Sequence, residues 1–123
     1  MSETKFFSIE EFDGGAFVSP LESVRSFSDE MVRGEWEQVL SLLDAANAKQ
    51  IAIDLGQLSF FGSTMLEWIV LVGKYVKDAN GHVVLCNGSA MTIEVLEIAR
   101  FDTLFPIVET REEAREKLKS LSP

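Results

Sequence analysis

Cysteine and histidine are nearly missing from this sequence: Cys86 and His82 are the sole examples in 123 residues. One cysteine excludes an internal disulfide. Structural or catalytic metal sites need several converging ligands, and His82 and Cys86, parted by three residues of an apolar run, would need ligands from outside, so no metal is expected. Positive charge is also scarce, with 11 Lys and Arg against 20 Asp and Glu, a net charge of −9 and a pI near 4.5. No basic stripe is available to displace counterions from a phosphate backbone, so nucleic acid is excluded and basic or amphipathic protein partners fit better. Long apolar runs are absent too. The longest, residues 68–73, falls far short of the ~20 residues that cross a bilayer, so no membrane association is expected. Residues 1–11 carry no basic-then-apolar leader, and the expected compartment is the cytoplasm.

Catalytic signatures are lacking as well. No Gly-x-x-x-x-Gly-Lys-Ser/Thr loop occurs, and the residues around Ser63 lack the glycine pair of a nucleophile elbow. Cys86 in an apolar strand reads as a packed structural thiol, and His82, at a strand start, as a surface residue. Asp54 ends a strand and invites comparison with a phospho-accepting aspartate, but no acidic pair lies near it in sequence. Polar termination of the strand is the better reading. A non-enzymatic protein without a cofactor is expected.

What is present is a core and a regular alternation of elements. Hydrophobic residues make up 46% of the chain, enough for one domain spanning residues 1–123. Residues 51–79 organise it. Ile51, Ile53 and Leu55 alternate with an apolar Ala52 in a central strand, a turn ends in Gly62-Ser63-Thr64, and a helix begins near Met65. Ser63 or Thr64 can cap that helix, and its positive dipole end would also accept a phosphate, so cap and switch are rival readings of Ser63. Along the helix, Leu66, Ile69, Gly73 and Val76 form the main stripe, with Met65 and Val72 beside it. Trp68, Leu71 and Tyr75 form a second apolar flank, to be covered by a neighbouring helix or to serve as partner anchors.

Elsewhere, two extended segments flank Asp13-Gly14-Gly15 and read as a β-hairpin. Ser28 precedes a helix with Val32, Trp36, Val39, Leu43 and Ala46 on one face and Asn47 as its stop. Asn80-Gly81 ends the helix after Ser63, and residues 82–86 are a strand. Ser89 caps a helix whose face carries Met91, Val95 and Ile98, widened by Leu96 and Ala99. Ile107-Val108 is a short strand, and Thr110 with Glu113 is a capping box for a last helix bearing Ala114, Leu118 and Leu121. The expected fold is α/β: a mixed sheet of about five strands with about four helices, an N-terminal hairpin and right-handed crossovers.

Several of these pieces, in this order, resemble the STAS domains, which include the bacterial anti-sigma factor antagonists. They are Ile53-Asp54-Leu55, Leu58 through Leu66 (LSFFGSTML), Val83-Val84-Leu85-Cys86, and Val95 through Phe105 (VLEIARFDTLF) followed by a short strand and a helix. The resemblance implies a STAS fold and a regulator that binds an anti-sigma factor serine kinase or a related regulatory protein, as a monomer or weak homodimer. It implies phosphorylation at Ser63, with Thr64 as the alternative, and a partner surface of Gly62, Ser63, Thr64, Met65, Leu66 and Trp68. Phospho-switching members carry Asp-Ser-Ser/Thr-Gly at this place. Here Gly62 stands for the Asp and Met65 for the Gly, so a STAS interaction or scaffold module without switching is the alternative. A carrier of a small anionic ligand at the same helix start is the rival from another class.

Overall fold

The computed structural model describes residues 2–3, 5–21, 29–58 and 63–121. Six strands form one sheet in the spatial order of the sequence: β1 (Ser2–Glu3), β2 (Phe7–Phe12), β3 (Gly15–Pro20), β4 (Gln50–Asp54), β5 (His82–Cys86) and β6 (Ile107–Val108). The first three pair antiparallel and the last four parallel. The mixed sheet and N-terminal hairpin match the expectation, with the two-residue β1 added at the edge. In the hairpin, Phe12 opposes Gly15, and Gly14 adopts the positive φ (81°) that closes so short a turn.

The helices are α1 (Asp29–Ala45), α2 (Ser63–Asp78), α3 (Ala90–Ile98) and α4 (Arg111–Leu121), with a 3-10 turn at Phe101–Thr103. Three of them, α1, α2 and α3, cross over between parallel strands that are added in one direction, and right-handed crossovers then all fall on one face. The buried clusters agree. Phe7, Ile9, Val18, Ile51, Ile53, Val83 and Leu85 pack with Trp36, Val39, Ile69, Val72 and Leu96, whereas the alternate strand residues Phe17, Ala52, Val84 and Cys86 pack with Ala114 and Leu118 of α4. Burial on both faces explains why β3 and β4 lack a polar alternation.

The helix ends follow local chemistry. Asn80, at φ 63°, takes the left-handed position after α2. There Gly81 N–H donates to Val76 C=O (2.8 Å) and Asn80 N–H to Lys77 C=O (3.0 Å), a paired closure of the last turn. Asn47 (φ 52°) likewise follows α1. Ser89 caps α3 by accepting from Thr92 N–H at 3.2 Å, and Thr110 Oγ1 accepts from Glu113 N–H at 3.1 Å. The expected cap Ser28 and the side chain of Val32 lie outside the described residues.

Two facial assignments are corrected. Met91 and Ile98 are exposed, and the buried residues of α3 are Thr92 and Leu96. This short helix carries two apolar arcs, and the arc with Leu96 and the capped Thr92 is the one turned to the sheet. Ala46, expected on the buried face of α1, is exposed, and Ala48 is buried after the chain has turned.

Candidate partner-docking site

Helix α2 starts at Ser63, two residues before the expected Met65, and Ser63 is exposed. Successive 100° steps place Glu67, Val70, Leu71 and Lys74 on the same outward half as Ser63, and all four are exposed. No acidic residue occupies the first turn of the helix, so its own sequence places no counter-charge at the positive end of the dipole. Leu66, half-buried, lines a shallow groove of about 350 Å³ with Arg33, Glu67, Val70, Leu71 and Phe101. Thr64 is half-buried beside Ser63, and Gly62 lies outside the described residues.

Two residues of the expected docking set face the other way. Trp68 is only 4% exposed: its ring stacks on Phe7 (centroids 5.1 Å apart) and meets Trp36 edge-on at 5.2 Å. Exposure of Trp68 to a partner is therefore overturned, because α1 contributes Trp36 to cover that flank. Met65 is buried in the same core, so its bulk lies beneath the helix and not across the approach of a partner. Tyr75 is half-buried and donates from its hydroxyl to Asp44 Oδ1 at 2.7 Å. Burial, followed by this hydrogen bond and the Asp44 charge, pushes its pKa up to about 12. Of the flank, Leu71 alone stays exposed; Val70, passed over in the sequence reading, joins it on the surface.

A polar cluster gathers around the buried Asp54 at the end of β4. Asp54, the last residue of β4, accepts from Gly56 N–H (2.8 Å) and Asn87 Nδ2 (3.1 Å) on Oδ1, and from Arg111 Nε (2.5 Å) on Oδ2. Arg111 also pairs with Glu10, donates to Ser19 Oγ at 3.2 Å and lies 4.5 Å over the Phe17 ring. Burial works against the Arg111 charge, but the hydrogen bond and charge of Asp54, joined by Glu10, outweigh it and hold the pKa above its ordinary value. A side chain at position 56 would stand 2.4 Å from Asn87 Nδ2, so the site admits only glycine as built. Asp54 is thus more than a polar strand end. The signal available in the sequence was a carboxylate in an otherwise apolar, two-sided strand, which calls for a charge partner or hydrogen-bond donors.

Neither Cys86 nor His82 has the setting of a reactive group. Burial first, and then the Asp54 charge, push the Cys86 thiol up to about 12 against the opposing effect of Arg111. His82 Nδ1 lies 3.1 Å from Gln50 Oε1. Among the described residues, no cluster of His, Cys, Asp and Glu could hold a metal ion, and no helix is long and apolar enough to cross a membrane.

The mixed α/β sheet thus carries an exposed hydroxyl at the start of α2 and exposed apolar residues along the same helix face. The chain belongs to the STAS domain family, whose model matches residues 23–114. It is 33% identical over 75 residues to BtrV of Bordetella bronchiseptica, a protein provisionally named an anti-sigma factor antagonist; the match covers 61% of this chain and 65% of BtrV, just under two thirds of its length. An anti-sigma factor antagonist (STAS) domain protein from Planctomyces limnophilus superposes with a TM-score of 0.66 at 27% identity, covering 92% of this chain and 97% of that one. The unphosphorylated anti-sigma factor antagonist SpoIIAA shares the fold at a TM-score of 0.73 and 15% identity, over 95% of this chain and 99% of its own. SpoIIAA of Bacillus is also known in a phosphorylated form, which superposes at a TM-score of 0.62 with 17% identity, over 90% of this chain and 97% of its own.

Proposed function

We propose that this chain is a non-enzymatic anti-sigma factor antagonist that docks an anti-sigma factor serine kinase, or a related regulatory protein, through the outward face of α2 and is switched by phosphorylation of Ser63. One observation carries the reading: Ser63 stands on the same exposed half of α2 as Val70 and Leu71. A partner seated on those two side chains covers the Ser63 hydroxyl. A phosphate there adds ~1.5–2 negative charges to a neutral contact, which a docked partner must accommodate or leave. The existence of SpoIIAA in both phosphorylated and unphosphorylated forms supports a switch in this family. Gly62, where phospho-switching members carry an acidic residue, favours the alternative of a docking module that is not modified.

The test uses the native cell and three variants. Mass spectrometry of the purified chain, under growth and under stress, is expected to find phosphate on Ser63. Ser63→Glu should weaken partner capture, Ser63→Ala should keep it, and Leu71→Asp should abolish it with Ser63 intact. No phosphate on Ser63 or Thr64 in any condition, with Leu71→Asp still defective, leaves the unmodified docking module. Capture indifferent to Leu71→Asp refutes the face itself.

A further inference from the structure

Helix α3 contains Met91, Ile93, Val95, Leu96 and Ile98 within its nine residues, yet Leu96 is the only one of these that is buried. Ile98 is 76% exposed and Met91 55%, and Leu104, just past the 3-10 turn, is 63% exposed. Large aliphatic side chains left this open on one short element mark a surface that something covers. The core does not need them, since Leu96 already seats the helix on the sheet. Acidic residues predominate on the same surface: Glu94 and Glu97 lie along one side of Ile98 on the helix, and Asp102 is exposed in the segment between Ile98 and Leu104, against a single exposed cation there, Arg100.

We propose that the outward face of α3 and the turn after it form a second docking surface, for an amphipathic protein helix whose apolar stripe is flanked by lysine and arginine. Charge selects this occupant. A second copy would bring a surface of the same net negative charge, three acids to the one base Arg100, against itself in a chain that already carries −9. An anionic membrane surface is repelled by the same residues. A basic amphipathic helix satisfies both features, its apolar anchors meeting Met91, Ile98 and Leu104 while its flanks meet the carboxylates. The groove on the Ser63 face of α2 reaches this turn at Phe101, but Met91, Ile98 and Leu104 do not line it, and the proposal does not rest on the switch proposed above.

The experiment titrates the full isotopically labelled chain with a synthetic helical peptide carrying a leucine stripe flanked by lysines. Two control peptides have glutamates in place of the lysines, or the lysines kept and the leucines scrambled. Saturable amide shifts centred on residues 90–104 are expected with the first peptide only. Ile98→Glu, and separately the double change Glu94→Lys/Glu97→Lys, should each weaken binding at least tenfold, an effect of ~1.4 kcal/mol or more. Both alter exposed positions, and their amide spectra report whether the fold is kept. Ser63→Glu should leave the affinity unchanged, so failure of this surface and failure of the switch are told apart. Shifts centred on α2 or scattered over all acidic sites overturn the proposal, as does equal binding of the scrambled peptide. Self-association that Ile98→Glu abolishes would overturn it too, assigning the face to a second copy.

Discussion

Arg111 Nε donates to Asp54 Oδ2 at 2.5 Å, joining the first residue of α4 to the last of β4 across 57 positions of sequence. A cation in the first turn of a helix opposes the dipole. Glu112 and Glu113 supply the favourable charge there, while Arg111 serves the strand carboxylate and Glu10. Strand parity explains the meeting. Ala52 lies on the α4 face of the sheet, so Asp54, two residues on, points to the same side and meets the start of the helix that covers it.

Removing the cation should therefore cost more than removing an exposed ion pair. Asp54 has a side chain only 6% exposed, whereas Arg111 is 39% exposed. Arg111→Met leaves a buried carboxylate without its charge partner, and a loss of about 3 kcal/mol is expected, the low end of the range for breaking a buried pair because Arg111 is partly solvated. Urea denaturation at neutral pH measures it. A change under about 0.5 kcal/mol would place the pair among ordinary surface contacts.

Trp68 should behave as core. Trp68→Ala is expected to cost ~3–5 kcal/mol, and Ile53→Ala ~2–5 kcal/mol. Trp68→Phe should cost far less than the alanine change, because the buried Trp68 Nε1 has no hydrogen-bond partner to lose among the described residues. Leu71→Ala, on the exposed face, should stay within ~0.5 kcal/mol. Equal losses at Trp68 and Leu71 would contradict the inward placement of the indole.

Much of this was readable in advance, for reasons that differ along the chain. Ile51, Ile53 and Leu55 signalled a central strand because period-two patterning survives whatever packs on it. Ser89, Thr110 and Asn80 were legible because capping chemistry is local. The orientation of Trp68 was not, since its wheel position borders the buried arc and only Trp36, from another helix, decides which way the flank turns. The same holds for α3, where two apolar arcs compete and the sheet selects the one with Leu96. Asp54 was legible as unusual but not as paired, because its partner lies 57 residues away.

Cys86 should resist alkylation in the native state. With the thiol pKa raised from 9.0 to about 12, the thiolate fraction at pH 8 falls by on the order of 1,000-fold relative to the unfolded chain, before steric shielding is counted. The folded state holds its proton where the unfolded state releases it. Stability is therefore fully present below the unfolded thiol pKa and declines as pH rises from about 9 toward 12. Maleimide labelling followed by mass spectrometry, with and without denaturant, checks the first point. A pH series of urea melts on wild type and Cys86→Ala checks the second, as only the wild type carries this contribution.

The last expectation concerns a phosphate on Ser63 and separates its effect on the fold from its effect on docking. Ser63 begins α2, whose first turn contains no acidic residue, so a dianion there meets the positive end of the dipole without a like charge in that turn. Nothing is displaced from the core, because the side chain is exposed. Phosphoserine incorporated at position 63 should thus raise stability by ~0.3–1 kcal/mol at low salt. The gain should shrink as ionic strength rises and the Debye length falls toward ~3 Å at 1 M. Thermal denaturation of the two forms at low and high salt measures this without any partner. A destabilised phosphoprotein would mean that the hydroxyl is engaged in holding the helix start, acting as a cap, and the docking surface would then be lost with local order instead of being blocked by charge.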